Sequence, residues 1–220
     1  MKKLFIVGNW KSNKTESEAS DWLQGFKIQD LGFKNKEIII CPPFTLLSIL
    51  KTSIKLGAQD ISPFDEGAYT GEINGKQIKE FADYVIIGHS ERRKNFGEDE
   101  SIIEKKIEQA DKYGLIPIIC VSDINQAKKL KTLNSQLSTL NFLVAYEPIF
   151  AIGSGTTDTP ENAETMAKKI KEIINVPVLY GGSVNAENVK SFTTMEDING
   201  VLVGGASLDP QVFASLIINA

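Results

Sequence analysis

The sequence predicts an α/β protein folded as a single-domain (β/α)8 barrel, and three observations predict it. Short, apolar, β-rich runs recur eight times in 220 residues. That is about 27 residues per unit, enough for a strand, a helix and two loops. Capped helical segments fill most of the intervals. The strands are almost continuously apolar, the pattern of a parallel sheet covered by helices. A doubly wound open sheet is the alternative, but no G-x-G-x-x-G follows the first strand. The chain is short beside the roughly 250 residues of a typical barrel. Residues 1–220 carry no linker or low-complexity segment and read as one domain.

The strands are expected at Leu4–Val7, Glu37–Cys41, Lys55–Ala58, Tyr84–Gly88, Ile116–Val121, Phe142–Tyr146, Val178–Tyr180 and Val201–Val203. Lys2-Lys3 before the first run resembles a signal peptide, but the run is too short and Asn9-Trp10-Lys11 follows, so a strand is expected. Thr15-Glu16-Ser17-Glu18 is a capping box that starts a helix to about Phe26. Pro43 opens a helix to about Thr52. Ser101 and Glu104 cap another, which ends at Gly114. Asp123 to Leu140 reads as a weakly patterned helix, and Thr159-Pro160 starts a stronger one to Ile174. Asn185 and Asp209-Pro210 start the last two.

Composition is ordinary for a globular chain, 42% apolar and 24% charged. Net charge is −4 without a basic stripe, which argues against nucleic acid as a partner. An anionic substrate must therefore be attracted locally. Cys41 and Cys120 are too few for a disulfide scaffold and point to a reducing cytoplasm. One histidine and two cysteines leave little for a zinc site, although counting alone leaves a carboxylate-bound Mg2+ open. No apolar run reaches membrane-spanning length.

Strand carboxyl ends converge on one face of a barrel. Read in order, those ends carry Asn9-Trp10-Lys11, Cys41, Gln59-Asp60, His89-Ser90-Glu91, Cys120, Glu147, Gly181-Gly182-Ser183 and Gly204-Gly205. Glu147 ends a buried run and precedes Pro148, four apolar residues and two glycines, which reads as a lid over a site that can exclude water. A carboxylate there suits a general base. A lone histidine is more often a core residue, yet His89 stands at the start of the helical turn Ser90–Arg93. The positive end of that turn favours neutral imidazole, a hydrogen-bond donor to a carbonyl oxygen. Lys11 supplies local positive charge, with Glu91 as its partner. Arg92 and Arg93 read as ion-pair formers, and Cys41 and Cys120 as packing residues. The glycine pairs after strands seven and eight let backbone N–H groups approach a phosphate. Alone, each is equally a tight turn.

Together these residues resemble the triosephosphate isomerases, the family of the TIM barrel. The match runs through Gly8-Asn9-Trp10-Lys11, Gly57-Ala58-Gln59, Gly67–Glu72, Gly88-His89-Ser90-Glu91-Arg92-Arg93, Ala145–Gly155, Tyr180–Val184 and Val203–Leu208, in order over essentially the whole chain. The resemblance implies a cofactor-free interconversion of dihydroxyacetone phosphate and glyceraldehyde 3-phosphate in glycolysis and gluconeogenesis. It implies Glu147 as the base, neutral His89 as the proton shuttle and Lys11 as the stabiliser of the enediolate. Asn9, Lys11, Gly153, Ser183, Gly204 and Gly205 would bind substrate, with no metal. It also implies a homodimer through the loop Gln59–Glu72, with Thr70 near the partner's site.

The chain departs from the family in places. Phe150 replaces the usual lid tryptophan, and Thr156-Thr157-Asp158 stands at the trailing hinge, where Asp158 adds negative charge near the incoming anion. Val121-Ser122-Asp123 follows Cys120, where Gly-Glu is more usual. The outer helices after strands five and six are expected to be shortened. Residue chemistry alone leaves other readings open. A metal-dependent sugar-phosphate epimerase, a Schiff-base aldolase using Lys11 and a non-catalytic binding barrel share parts of the pattern.

Overall fold

The computed structural model describes residues 2–26, 35–50, 52–134, 141–148 and 158–220. Eight parallel strands close into a barrel in chain order: β1 (Leu4–Asn9), β2 (Lys36–Cys41), β3 (Lys55–Ala58), β4 (Tyr84–Ile87), β5 (Ile116–Val121), β6 (Leu143–Tyr146), β7 (Val178–Tyr180) and β8 (Ile198–Val203). Successive side chains on a strand point to opposite faces. One set, including Phe5, Val7, Ile39, Cys41, Ile86, Cys120, Ala145 and Leu202, fills the barrel. The other, including Ile6, Ile40, Val85, Val144, Tyr180 and Val203, packs outward in a separate cluster with helix residues such as Trp22, Ile107, Ile170 and Phe213. Both faces are buried, so the strands are apolar throughout.

The helices are α1 (Glu16–Gly25), α2 (Phe44–Leu47), α3 (Gly75–Lys79), α4 (Ser90–Phe96), α5 (Glu100–Lys112), α6 (Ile124–Asn134), α7 (Pro160–Ile173), α8 (Val189–Thr193) and α9 (Pro210–Asn219). The Thr15 capping box is formed, Thr159 caps α7, and Asp209 accepts from the amides of Gln211 and Val212. After strands five and six the helices α6 and α7 have 11 and 14 residues. The expected extension of α6 to Leu140 falls outside the described residues.

Several boundaries differ from the sequence reading. The helix α5 starts at Asp99, whose Oδ1 accepts from Ile102 N at 3.0 Å, rather than at Ser101. The Pro43 helix stops after Leu47, well before Thr52. Asn185 closes a polar turn, accepting from the amides of Glu187 and Asn188, and α8 begins only at Val189. The eighth strand starts at Ile198 instead of Val201. The short α3 is additional; it carries its own capping box between Asn74 and Gln77.

Candidate active site

Strand phase delivers most of the candidate residues. Glu147 continues the inward series Leu143, Ala145, and Asn9 continues Phe5, Val7. Gly204 likewise continues Leu202. His89 is out of phase with the inward residues Tyr84 and Ile86. Gly88 corrects this with φ +70, a left-handed conformation that re-aims the chain. As a result Asn9, Lys11, His89, Glu147, Ser183, Gly204 and Gly205 line one cavity of about 350 Å³ at the carboxyl end of the barrel. The candidate Gly153 and the altered lid residues Phe150, Thr156 and Thr157 lie outside the described residues.

Glu147 is 1% exposed. Its Oε1 lies 3.1 Å from His89 Nε2, and its Oε2 accepts from Ser90 N at 2.9 Å. Among the described residues no lysine or arginine pairs with it. On the other side of the imidazole, Nδ1 accepts from Glu91 N at 3.2 Å, in the first turn of α4. An N–H aimed at Nδ1 leaves the ring proton on Nε2. His89 Nε2 thus faces Glu147 as a donor, where the sequence reading expects it to face a carbonyl oxygen. Burial, then the neighbouring Glu147 charge, pushes the Cys120 thiol well up. Burial likewise raises Cys41, so neither thiol is poised as a nucleophile.

Lys11 adopts φ 52, a left-handed backbone that costs a non-glycine residue on the order of 1 kcal/mol. Two contacts hold it there: its amide donates to Asn9 Oδ1 at 3.0 Å and its carbonyl accepts from Gln59 Nε2 at 2.8 Å. The Lys11 ammonium reaches Glu91 Oε1 at 2.5 Å, the partner expected for it. Arg92 and Arg93 are ion-paired as predicted, Arg92 to Asp60 and Glu98 and Arg93 to Glu100. Arg93 also donates to the carbonyls of Gly88 and Cys120, tying together the ends of β4 and β5. A carboxylate, a neutral N–H, an ammonium and a glycine-rich loop therefore share one cleft. This set can move a proton beside a carbonyl while holding an anion.

A family model described as triosephosphate isomerase matches residues 4–220. The chain belongs to the triosephosphate isomerase family. It is 44% identical to the triosephosphate isomerase of Mesomycoplasma hyopneumoniae strain 232, with all of both chains covered. Identity is 41% to that of Dictyoglomus turgidum, covering 99% of each chain. It is also 41% to that of a Synechocystis species, covering 99% of this chain and 98% of the relative. The Mesomycoplasma alignment spans 243 positions, more than this chain's 220 residues, so that relative carries residues absent here. As a triosephosphate isomerase family member the chain is an isomerase that interconverts triose phosphates in glycolysis.

Around this cavity the sequence reading gave some residues no role. Ser90 acts through its amide, which any residue would supply, so its side chain gave no signal. Asn188 and Asn185 also line the cavity. Asn188 Oδ1 accepts from Asn185 N at 2.8 Å, and its Nδ2 donates to Ser183 O at 3.3 Å, bracing the Ser183 loop. An Asn three residues after another Asn was the available signal, and it was read only as a helix start.

Proposed function

We propose that Glu147, His89 and Lys11 carry out the interconversion of dihydroxyacetone phosphate and D-glyceraldehyde 3-phosphate without a cofactor. The observation that supports this most is Glu147 itself. Its buried carboxylate faces a neutral imidazole N–H and an amide, with no described cation beside it. An uncompensated buried carboxylate is costly, and a substrate carbon acid gives it a proton to take.

In this reading Glu147 removes a proton from the carbon next to the carbonyl. The electron pair moves into the new carbon–carbon double bond, and the carbonyl oxygen becomes an enediolate oxygen. His89 Nε2–H protonates that oxygen, takes a proton from the neighbouring hydroxyl, and returns to its starting state. Glu147 then delivers its proton to the adjacent carbon. Lys11 offsets the enediolate charge, and preorganised charge of this kind is a large catalytic term. Asn9 holds the substrate oxygens. The amides of Ser183, Gly204 and Gly205, with that of Gly153, hold the phosphate. A coupled assay with glyceraldehyde 3-phosphate tests the reading. Activity that survives Glu147→Gln undiminished contradicts it.

We also propose that residues 1–220 act as one domain in a homodimer built on the loop Gln59–Glu72. In that loop Phe64 and Tyr69 stack on each other at 4.3 Å between centroids while remaining 41% and 43% exposed. Phe81 and Phe96 are exposed as well, 42% and 67%. So many exposed aromatic rings suit a partner surface, with Thr70 approaching the partner's site. Ile61 is instead buried in its own chain. A cytoplasmic location fits the two free cysteines, and no described helix is long and apolar enough to cross a membrane. Sedimentation at micromolar concentration tests the dimer, and a fully active monomer refutes it.

A further inference from the structure

The loop that carries Lys11 also grips the glycine turn after β8. Gly205–Ser207 forms a single 3-10 turn, in which Ser207 N donates to Gly204 O at 2.9 Å and Leu208 N to Gly205 O at 3.1 Å. Gly204 and Gly205, at its amino end, line the active-site cavity. Carbonyls at the other end of such a turn lack partners within it and need outside donors. Trp22 Nε1 donates to Ser207 O at 3.1 Å, and the Lys14 ammonium donates to Leu208 O at 2.8 Å. The second of these is charge-assisted, the stronger kind of hydrogen bond.

Lys14 reaches Leu208 from a strained backbone. Among the described residues, Lys11 and Lys14 are the two non-glycines with left-handed φ, at 52 and 75. Both fall in one short loop. Such strain persists only where the surroundings hold it in place. At Lys14 the hold is the ammonium, which bonds Leu208 O and lies 5.3 Å from the ring centroid of the buried Trp10. Asn13 Nδ2 donates to Trp10 O at 2.6 Å and closes the loop on itself. The loop meets the turn at its amino end as well, where a Cβ added to Gly204 would sit 3.0 Å from Lys11 Cε. That end has its own ties, to Asn9 Oδ1 and Gln59 Nε2, so the loss of Lys14 does not release Lys11. Lys14 itself does not line the cavity.

We propose that Lys14 is a positioning residue for phosphate binding. Its ammonium fixes the carbonyl end of the turn whose amino end presents the amides of Gly204 and Gly205. The inference rests on the reading that these amides bind the substrate phosphate. It assigns no contact between Lys14 and substrate.

The test compares substrates with and without a phosphate. K14M keeps the length of the side chain and loses the donor. In K14M, KM for glyceraldehyde 3-phosphate and the inhibition constant of phosphoglycolate rise about 3- to 10-fold, the scale of one hydrogen bond. Turnover of D-glyceraldehyde, which has no phosphate, stays within about two-fold, a difference too small to count as a lost contact. K14G removes the backbone strain together with the ammonium and repeats the K14M pattern, which decides the matter if K14M does not fold. The loss persists in about 1 M KCl, where exposed charges more than about 3 Å apart are screened. Equal losses for both substrates, wild-type phosphoglycolate binding in either folded variant, or a loss that vanishes at that salt overturns the inference. Inorganic phosphate separates the two levels in the wild-type protein. If it does not compete with substrate, the phosphate reading fails. If it competes while K14M and K14G bind phosphoglycolate as wild type does, only the inference fails.

Discussion

The two ends of the barrel hold similar parts arranged to opposite effect. At the amino end, Glu37 accepts from the Tyr84 hydroxyl and pairs with the Lys3 ammonium. At the carboxyl end, Glu147 meets the His89 N–H and the Ser90 amide, while the nearby ammonium of Lys11 is turned to Glu91. Burial alone would raise Glu37, but its bonds from Lys3 and Tyr84 outweigh burial and hold it below the usual carboxylate range. Tyr84 is raised well above its usual value by burial and by Glu37. That end is a satisfied network. The Glu147 end is satisfied in hydrogen bonds and unsatisfied in charge, which suits the base role proposed for it. The lesson is that the nature of a carboxylate's neighbours separates a structural from a working role more clearly than its burial does.

The comparison predicts opposite phenotypes. Glu147→Gln lowers kcat by on the order of 10³-fold, within the usual range for losing a general base. Thermal unfolding of this variant shows no loss of stability, because a buried, cation-free charge has been removed. A large fall in melting temperature would place Glu147 among the structural groups and break the contrast.

Lys11→Ala lowers kcat/KM by on the order of 10²-fold, the scale of losing one preorganised electrostatic donor. Activity within three-fold of wild type would show that the pair with Glu91 is structural only. At the other end, Glu37→Gln leaves kcat unchanged and costs about 1 kcal/mol. Its pH dependence follows from the lowered value in the folded state. The Glu37 contribution is present above the ordinary carboxylate range and is lost as pH falls through the folded value. Wild type and Glu37→Gln should therefore converge in stability on acidification, as read by thermal melts across acid pH. A gap that widens toward acid would reverse the assignment.

The Glu147 half of this contrast was legible in the sequence, while Glu37 was read only as the start of a strand. Strand ends alone put Glu147, Asn9 and Gly204 on the carboxyl face of the barrel; that each follows an inward residue by two is visible only in the structure. His89 was legible as chemistry but not as direction, since its aim depends on the backbone turn at Gly88. Local capping signals compete over short distances: Ser101 read as the cap, and the structure uses Asp99. The eighth strand runs through Asn199-Gly200, ahead of the expected Val201, with Gly200 lying against the Phe5 backbone. Asp158 was legible as a charge, but its partner Tyr180 is distant in sequence. A residue's charge is local information, but what the charge faces is tertiary.

The most direct test of the contrast is hydrogen exchange at the carbon next to the carbonyl of dihydroxyacetone phosphate in D2O, followed by NMR. Wild type should catalyse deuterium incorporation, and Glu37→Gln should match it. Glu147→Asp, which withdraws the carboxylate by about 1 Å, should slow incorporation by on the order of 10²-fold or more. Exchange in Glu147→Asp within three-fold of wild type would contradict the account.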